Sequence, residues 1–265
     1  MDGISYVDVG DGPVSLFVHG VGTSSYLWRN VIAEFRDERR CLAIDLPLHG
    51  GSASRDDLSI PALAEAVEEL CAGLGLDQVD LVANDTGGAA AQVFAVRHPE
   101  RLRSLTLTNC DVHTNTPPDA FKPTVELAAR GELAALTAVA LEQPELLVHT
   151  AFGDGYERIE DPAYLVDHYL RPILDKPGGG QAFERLLTSI DAEDMVAIEP
   201  RLAELTVPTL VVWGTGDVFF DVSWAYWLRD TIPGVKDVVE IEGGRLFFPD
   251  ERAGELVPHL RRFWG

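Results

Sequence analysis

Residues 81–90 read LVANDTGGAA, and this stretch decides the expected fold. An apolar run ends in a turn centred on Asp85, and the helical pattern that follows begins with small residues. A nucleophile elbow requires this order, because its central residue has a strained backbone and small neighbours let the strand and the helix approach each other. We therefore predict that Asp85 occupies a nucleophile position. The alternative interpretation is that Asp85 only caps the helix.

Short β-rich runs alternate with helical patterns on both sides of the elbow, which predicts a parallel sheet covered by helices. Between residues 111 and 200 the strand signals vanish and only helical patterns remain. We predict an α/β fold, with a mostly parallel twisted sheet, helices on both faces and an inserted helical cap. The core would comprise residues 1–110 and 201–265, and the cap residues 111–200. The predicted strands are residues 4–9, 14–19, 41–45, 79–83, 102–108, 207–213 and 235–241.

The charge balance excludes several classes of partner. The chain of 265 residues has 21 Lys and Arg against 43 Asp and Glu, a formal net charge of −22. Nucleic-acid binders and proteins attracted to anionic lipid need clustered basic residues instead, so we expect neither a nucleic acid nor a membrane as partner. The expected partner is a small-molecule substrate, and the oligomeric state stays open.

The cysteines and the N-terminal residues indicate a cytoplasmic protein. Cys41, Cys71 and Cys110 form no CxxC pair and are expected to be reduced thiols. The first residues show neither a basic segment nor an apolar region of the secretory type. His and Cys have no metal-ligand spacing. We expect no metal and no cofactor.

Other motifs support the elbow. HG occupies residues 19–20, TSSYLWRN residues 23–30, DLPLHGGS residues 45–52 and WGTGD residues 213–217. In this order and spacing the chain resembles the α/β-hydrolase superfamily, and within it the haloalkane dehalogenases and epoxide hydrolases, which use an Asp nucleophile. A dinucleotide-binding loop at residues 20–22 is the weaker interpretation, because Ser25 stands where the third glycine would be.

The resemblance implies roles for three further residues. The backbone N–H groups of Val21 and Thr86 would form an oxyanion hole. Asp217, in a turn after a strand, would be the acid that orients a catalytic base. The haloalkane dehalogenases hold the leaving halide with a side-chain amide and a Trp at the positions of Val21 and Thr86, so we do not expect haloalkane dehalogenation.

One position departs from the superfamily pattern. The turn that carries the base histidine reads EGGRLFFPDE at residues 242–251, with Arg245 at the histidine position. Arginine stays protonated and accepts no hydrogen bond, so it cannot serve as a general base. Arg245 could form an ion pair with Asp217 or Asp85, bind an anionic group of a substrate, or point away from the site.

Two substitutes for the missing base group are conceivable. His113 follows a predicted strand at the edge where the sheet meets the cap, although it could also be a solvent-facing loop residue. Epoxide hydrolases protonate the ring oxygen with two cap tyrosines, which makes a pair from Tyr156, Tyr164 and Tyr169 conceivable. Simple packing of these aromatic rings is the alternative.

The expected function is hydrolysis of a small apolar epoxide, ester or lactone, with Asp85 as nucleophile or central carboxylate. A second interpretation is a non-hydrolytic acid/base enzyme that catalyses an elimination, cyclisation or rearrangement in natural-product metabolism. This interpretation explains the loss of the hydrolytic base. A third is a catalytically inactive member of the superfamily that binds a ligand or a partner.

Overall fold

A computed structural model describes residues 3–265. Within these residues the chain forms a seven-stranded sheet in the order β1-β3-β2-β4-β5-β6-β7. The strands are β1 (Tyr6–Val9), β2 (Val14–Val18), β3 (Arg40–Ile44), β4 (Val79–Asp85), β5 (Leu102–Cys110), β6 (Thr209–Gly214) and β7 (Val235–Ile241). β1 is antiparallel to β3, and the other pairs are parallel. The predicted α/β fold class, with a mostly parallel sheet, is confirmed.

The strand order places a binding crevice at the centre of the sheet. The order reverses between β2 and β4, and ligands bind outside the carboxyl ends of the strands at such a switch point. All seven residues of β4 are buried, since helices cover both faces of the sheet there. The loop after β2 and the turn after β4 therefore flank the same crevice.

Helices on both faces of the sheet follow from the alternation of strand and helix along the chain. In chain order they are α1 (Arg29–Phe35), α2 (Ile60–Gly73), α3 (Thr86–Arg97), α4 (Lys122–Ala129), α5 (Leu133–Ala140), α6 (Pro144–Phe152), α7 (Pro162–Leu165), α8 (Arg171–Leu174), α9 (Gly179–Thr188), α10 (Ala192–Ala197), α11 (Glu199–Leu202), α12 (Ser223–Thr231), α13 (Phe248–Glu251) and α14 (Ala253–Trp264). A π-helical turn at Val166–Leu170 joins α7 to α8. None of the helices within residues 3–265 has the length and apolarity needed to cross a membrane.

The helices α4 to α11 lie between β5 and β6, as an insertion into the α/β alternation. The chain turns at Gly131, which has a positive φ and separates α4 from α5. The segment from β5 to α4 follows the carboxyl edge of the sheet, and its Pro117, Pro118 and Phe121 line the cavity described below. The insertion therefore meets the crevice at the switch point.

Candidate active site

Asp85 is the last residue of β4 and has a strained backbone. Its φ of 56° and ψ of −139° fall where residues with a side chain are rare, at a free-energy cost of order 1–3 kcal/mol. Small neighbours make the turn sterically possible. A Cβ at Gly87 would collide with the His19 carbonyl, and one at Gly20 with the Asp85 carboxylate.

Two backbone N–H groups donate to the Asp85 carboxylate, those of Val21 and Thr86. Two buried histidines shape the loop that carries Val21. The Gly22 N–H donates to His49 Nε2 at 3.1 Å, and the Leu46 N–H to His19 Nε2 at 3.0 Å. Burial lowers the pKa of His19 to about 4 and that of His49 well below its ordinary value, so both rings are neutral acceptors at neutral pH.

Asp111 is a site residue that the sequence interpretation missed. It directly follows β5, is 1% exposed, and accepts a hydrogen bond from Thr86 Oγ1 to its Oδ2 at 2.8 Å. Its other oxygen, Oδ1, has no hydrogen-bond partner although it is buried. No sequence motif marks Asp111, and its place in the site follows from the pairing of β5 with β4, which brings the carboxyl end of β5 to the same edge as Asp85.

Burial raises the proton affinity of the three acidic groups, and like charges add to this effect at Asp85. Burial, followed by the like charge of Asp111 and then that of Asp217, raises the pKa of Asp85 well above its ordinary value. Burial raises the pKa of Asp111 to about 7, although the hydrogen bond from Thr86 opposes this shift. In the part of the chain that the structure describes, none of the three carboxylates forms an ion pair.

Asp217 lies in the turn after β6, and both of its oxygens accept hydrogen bonds. Oδ2 accepts from Asn109 Nδ2 at 2.7 Å and Oδ1 from the Phe219 N–H at 2.8 Å. Burial raises its pKa to about 6. The side chain that is hydrogen-bonded to Asp217 is therefore the amide of Asn109, which cannot act as a base.

Arg245 reaches the inserted helices and not the carboxylates. Its Nη1 donates to the Gly153 carbonyl at 3.2 Å and to the Tyr156 carbonyl at 2.9 Å. Gly153 caps the C-terminus of α6, where carbonyl groups lack helical partners and attract cations. The suggested ion pair with Asp217 or Asp85 is not formed, because the guanidinium is hydrogen-bonded to these carbonyls instead.

His113 lies outside the Asp85 cavity. The backbone bends at His113 with φ of 49°, and His113 Nε2 lies 3.1 Å from Glu199 Oε2. Its ring centroid lies 5.0 Å from that of Trp227. A substitute base would have to lie beside Asp85, and the structure does not bring His113 there.

The three tyrosines of the insertion also lie away from Asp85. The Tyr156 hydroxyl donates to Asp250 Oδ2 at 3.0 Å and lies 3.3 Å from the Tyr169 hydroxyl. Tyr164 is 40% exposed and packs on His168. The hydroxyls of the Tyr156–Tyr169 pair face the buried carboxylate of Asp250, so no tyrosine pair is directed at a substrate beside Asp85.

A narrow cavity with a volume of about 50 Å³ lies above Asp85. Only Asp85, Thr86 and Asp111 contribute polar side chains to its lining. The other lining residues are apolar: Val21, Pro117, Pro118, Phe121, Ala151, Phe152, Ile190, Phe219, Phe220, Leu246 and Phe247. Within residues 3–265, no group of three or more His, Cys, Asp or Glu side chains has a metal-binding arrangement. This arrangement suits a small apolar molecule held against two carboxyl groups.

Comparison with known proteins places the chain in a family. The model of the alpha/beta hydrolase fold family matches residues 13–252. Epoxide hydrolase 3 of Xenopus tropicalis is 30% identical over 244 residues, which cover 82% of this chain and 62% of that protein. Cis-3-alkyl-4-alkyloxetan-2-one decarboxylase of Shewanella oneidensis is 23% identical over 283 residues, covering 98% of this chain and 84% of that protein. The structure of the epoxide hydrolase CorEH superposes with a TM-score of 0.81 at 21% identity, covering 98% of this chain and 94% of that one. The chain therefore belongs to the α/β-hydrolase fold family.

Proposed function

We propose that this protein hydrolyses a small, apolar epoxide, with Asp85 as the nucleophile. The observation that carries the proposal is the position of the Asp85 carboxylate, on a strained elbow that faces an apolar cavity. A carboxylate that attacks an epoxide carbon forms an ordinary alkyl ester, which water can then cleave. Hydrolysis of an ester or a lactone is the broader form of the same proposal.

The backbone around Asp85 fits the cleavage of such an ester. When water adds to the ester carbonyl, negative charge develops on a carboxyl oxygen of Asp85. The N–H groups of Val21 and Thr86 already donate to that carboxyl group. Removing one donor of this kind typically costs about 2.7–4 kcal/mol of transition-state stabilisation.

The cavity lining, rather than the relatives, supports an epoxide over a haloalkane. Epoxide hydrolases and haloalkane dehalogenases both occur among the relatives and the structural neighbours. Val21 and Thr86 line the cavity but supply neither a side-chain amide nor an indole N–H for a halide ion. We therefore do not propose dehalogenation.

Two further predictions remain proposals. Residues 111–200 would act as a cap, because residues from this range close the cavity above Asp85. The protein would work in the reducing cytoplasm, where thiols stay unpaired, since Cys41, Cys71 and Cys110 are all free and buried.

The test is turnover of styrene oxide and 1,2-epoxyhexane by the wild type and by the variants Asp85→Asn and Asp85→Ala. The wild type should form the diols, and both variants should lose at least about 10³-fold in kcat/KM. Asp8→Asn, which changes an exposed aspartate of β1, is the matched control and should behave as the wild type. Equal turnover by Asp85→Ala would overturn the proposal.

A non-hydrolytic acid/base reaction is the second candidate. It is favoured by the absence of a histidine from the cavity lining and by the similarity to the oxetanone decarboxylase. Product analysis separates the two candidates, because an epoxide hydrolase forms a diol and an isomerase forms an aldehyde or an allylic alcohol. A member without activity would bind the epoxides and form neither product.

A further inference from the structure

Asp111 lines the Asp85 cavity and has one carboxyl oxygen without a hydrogen-bond partner. The residue is almost fully buried and lines the cavity, and its Oδ2 is occupied by the Thr86 hydroxyl. Its Oδ1 has no partner within the protein. A buried polar atom without a partner carries a desolvation penalty of about 1–3 kcal/mol, which binding of a ligand or water can offset. The free oxygen therefore indicates a group that contacts the substrate.

We propose that Asp111 is the acid and base of this site, sharing one proton with Asp85 and replacing the missing histidine. The proposal rests on the proposed function and names a catalytic residue for it. Two carboxyl groups enclosed together in a low-dielectric site hold a proton between them, since both cannot ionise without strong repulsion.

The ring-opening step balances with this single proton. In the reactive form Asp85 is ionised, held by the N–H groups of Val21 and Thr86, and Asp111 is protonated. An oxygen of Asp85 attacks an epoxide carbon while the ring C–O bond breaks. The ring oxygen takes the proton of Asp111 and becomes a hydroxyl, which leaves an ester on Asp85 and a carboxylate on Asp111.

The second step restores the starting state. The Asp111 carboxylate takes a proton from water as the water oxygen bonds to the ester carbonyl carbon of Asp85. The tetrahedral intermediate, with its oxyanion on the Val21 and Thr86 N–H groups, collapses by breaking the bond between the carbonyl carbon and the ester oxygen, so the oxygen that Asp85 supplied leaves with the substrate as an alkoxide. That oxygen takes the proton of the newly formed Asp85 carboxyl, so one epoxide and one water give one diol.

The other candidate groups are occupied elsewhere. Both oxygens of Asp217 accept hydrogen bonds, from Asn109 and from the Phe219 N–H. His113 faces Glu199, and the Tyr156 hydroxyl faces Asp250. Asp111 is the one ionisable residue besides Asp85 in the lining of the described cavity.

Within residues 3–265, acidic groups surround the pair and no cation forms an ion pair with either carboxyl group. Asp217 acts on Asp85 from the turn after β6, and Cys110 lies beside Asp111 at the end of β5. Burial raises the pKa of the Cys110 thiol well above its ordinary value, so the thiol stays neutral. The Thr86 hydroxyl donates to Asp111 and, together with the backbone N–H of Asp111 itself, favours its ionised form.

The first test needs no substrate. The infrared carbonyl band of a protonated carboxyl group is followed with pH in the wild type, Asp85→Asn, Asp111→Asn and the exposed control Asp8→Asn. The wild type and the control should keep this band at neutral pH. Either site variant should release its proton at a pH lower by about one unit or more, because the like-charged partner is gone. A wild type without this band, or an unchanged release in Asp111→Asn, would overturn the inference and leave the proposed function standing.

The second test follows styrene oxide. In the wild type kcat/KM should fall as the pH rises and Asp111 loses its proton. Asp111→Asn should lose about 10²–10³-fold in kcat, lack this alkaline limb, and accumulate a covalent adduct on Asp85 by intact-protein mass spectrometry. Thr86→Val removes the hydrogen-bond donor to Asp111 and should move the decrease in kcat/KM to higher pH. If Asp111→Asn has a reduced rate but the same decrease in kcat/KM at high pH as the wild type, Asp111 has a structural role only and the inference is overturned. A shared proton without turnover by the wild type would instead overturn the proposed function.

Discussion

Strand β4 carries a buried aspartate near each end, and the two differ in their partners. At the amino end, Asp80 accepts from Arg39, from Arg103 Nη2 at 2.8 Å and from Ser104 Oγ at 2.7 Å. At the carboxyl end, Asp85 accepts from backbone N–H groups and faces two more carboxylates. The exposed fractions are similar, 4% and 9%. Burial therefore does not distinguish a reactive carboxylate from a structural one, whereas the absence of a compensating cation does.

A third buried aspartate lies at the boundary between the core and the inserted helices. Asp250 is also buried, and it accepts from Arg29 at 2.7 Å, Asn30 Nδ2 at 3.0 Å and the Tyr156 hydroxyl at 3.0 Å. Like Asp80, it has a cation and neutral donors. The carboxyl groups at the cavity have neither a cation nor a full set of donors, an arrangement that lowers stability and keeps them available for chemistry.

Exchanging Asp85 for asparagine should give the largest effect. Asp85→Asn removes the nucleophile, so turnover of styrene oxide should fall at least about 10³-fold. Its free energy of unfolding should be equal to or higher than that of the wild type, because a neutral amide replaces a buried carboxyl group that has no cation beside it. Chemical denaturation at neutral pH checks the second half. A marked loss of stability would mean that the Asp85 carboxylate supports the fold.

The same exchange at the other end of β4 should act on stability. Asp80→Asn leaves Arg39 and Arg103 without their counter-charge, and the free energy of unfolding should fall by about 3 kcal/mol. Turnover per folded molecule should stay within about twofold of the wild type, because Asp80 lies at the opposite end of the strand from the cavity. Unchanged stability would contradict the role assigned to the Asp80 cluster.

The pH dependence of stability should differ between the wild type and Asp111→Asn. The folded protein holds the Asp111 proton with a pKa of about 7, above the ordinary 3.8, so the unfolded chain binds fewer protons between these values. This group contributes stability that is fully present below about pH 4 and is lost as the pH rises through about 7. The contribution is on the order of 2–4 kcal/mol. Asp111→Asn should therefore show a shallower decline over this range, and a decline of equal slope would contradict the raised pKa.

Arg245 should give the smallest effect. Arg245→His removes two hydrogen bonds to the carbonyls of Gly153 and Tyr156, so the free energy of unfolding should fall by about 1 kcal/mol. Turnover should change less than about tenfold, because the guanidinium contacts neither Asp85 nor Asp217. A large gain in hydrolysis would instead show that only the histidine was missing.

The sequence predicted the sheet and the elbow because strong local patterns encode both. The apolar residues of β4, the turn at Asp85 and the small residues of α3 lie together in the chain and need no distant contact to be identified. The partners of the site depend on tertiary packing. The interpretation of residues 242–251 could not foresee that the end of α6 offers carbonyls to Arg245. Nor could it foresee that Tyr156 turns to Asp250. Asp111 was missed because no motif marks it, and its importance follows only from the pairing of β4 with β5.

A single turnover in ¹⁸O-labelled water tests the central claim most directly. Enzyme in excess over styrene oxide is allowed to react once, and the peptide that contains Asp85 is then weighed by mass spectrometry. If Asp85 is the nucleophile and water cleaves its ester, the peptide gains one ¹⁸O atom and the diol carries none. If the diol carries the label and the Asp85 peptide does not, water attacked the epoxide directly and the account of Asp85 as nucleophile is wrong.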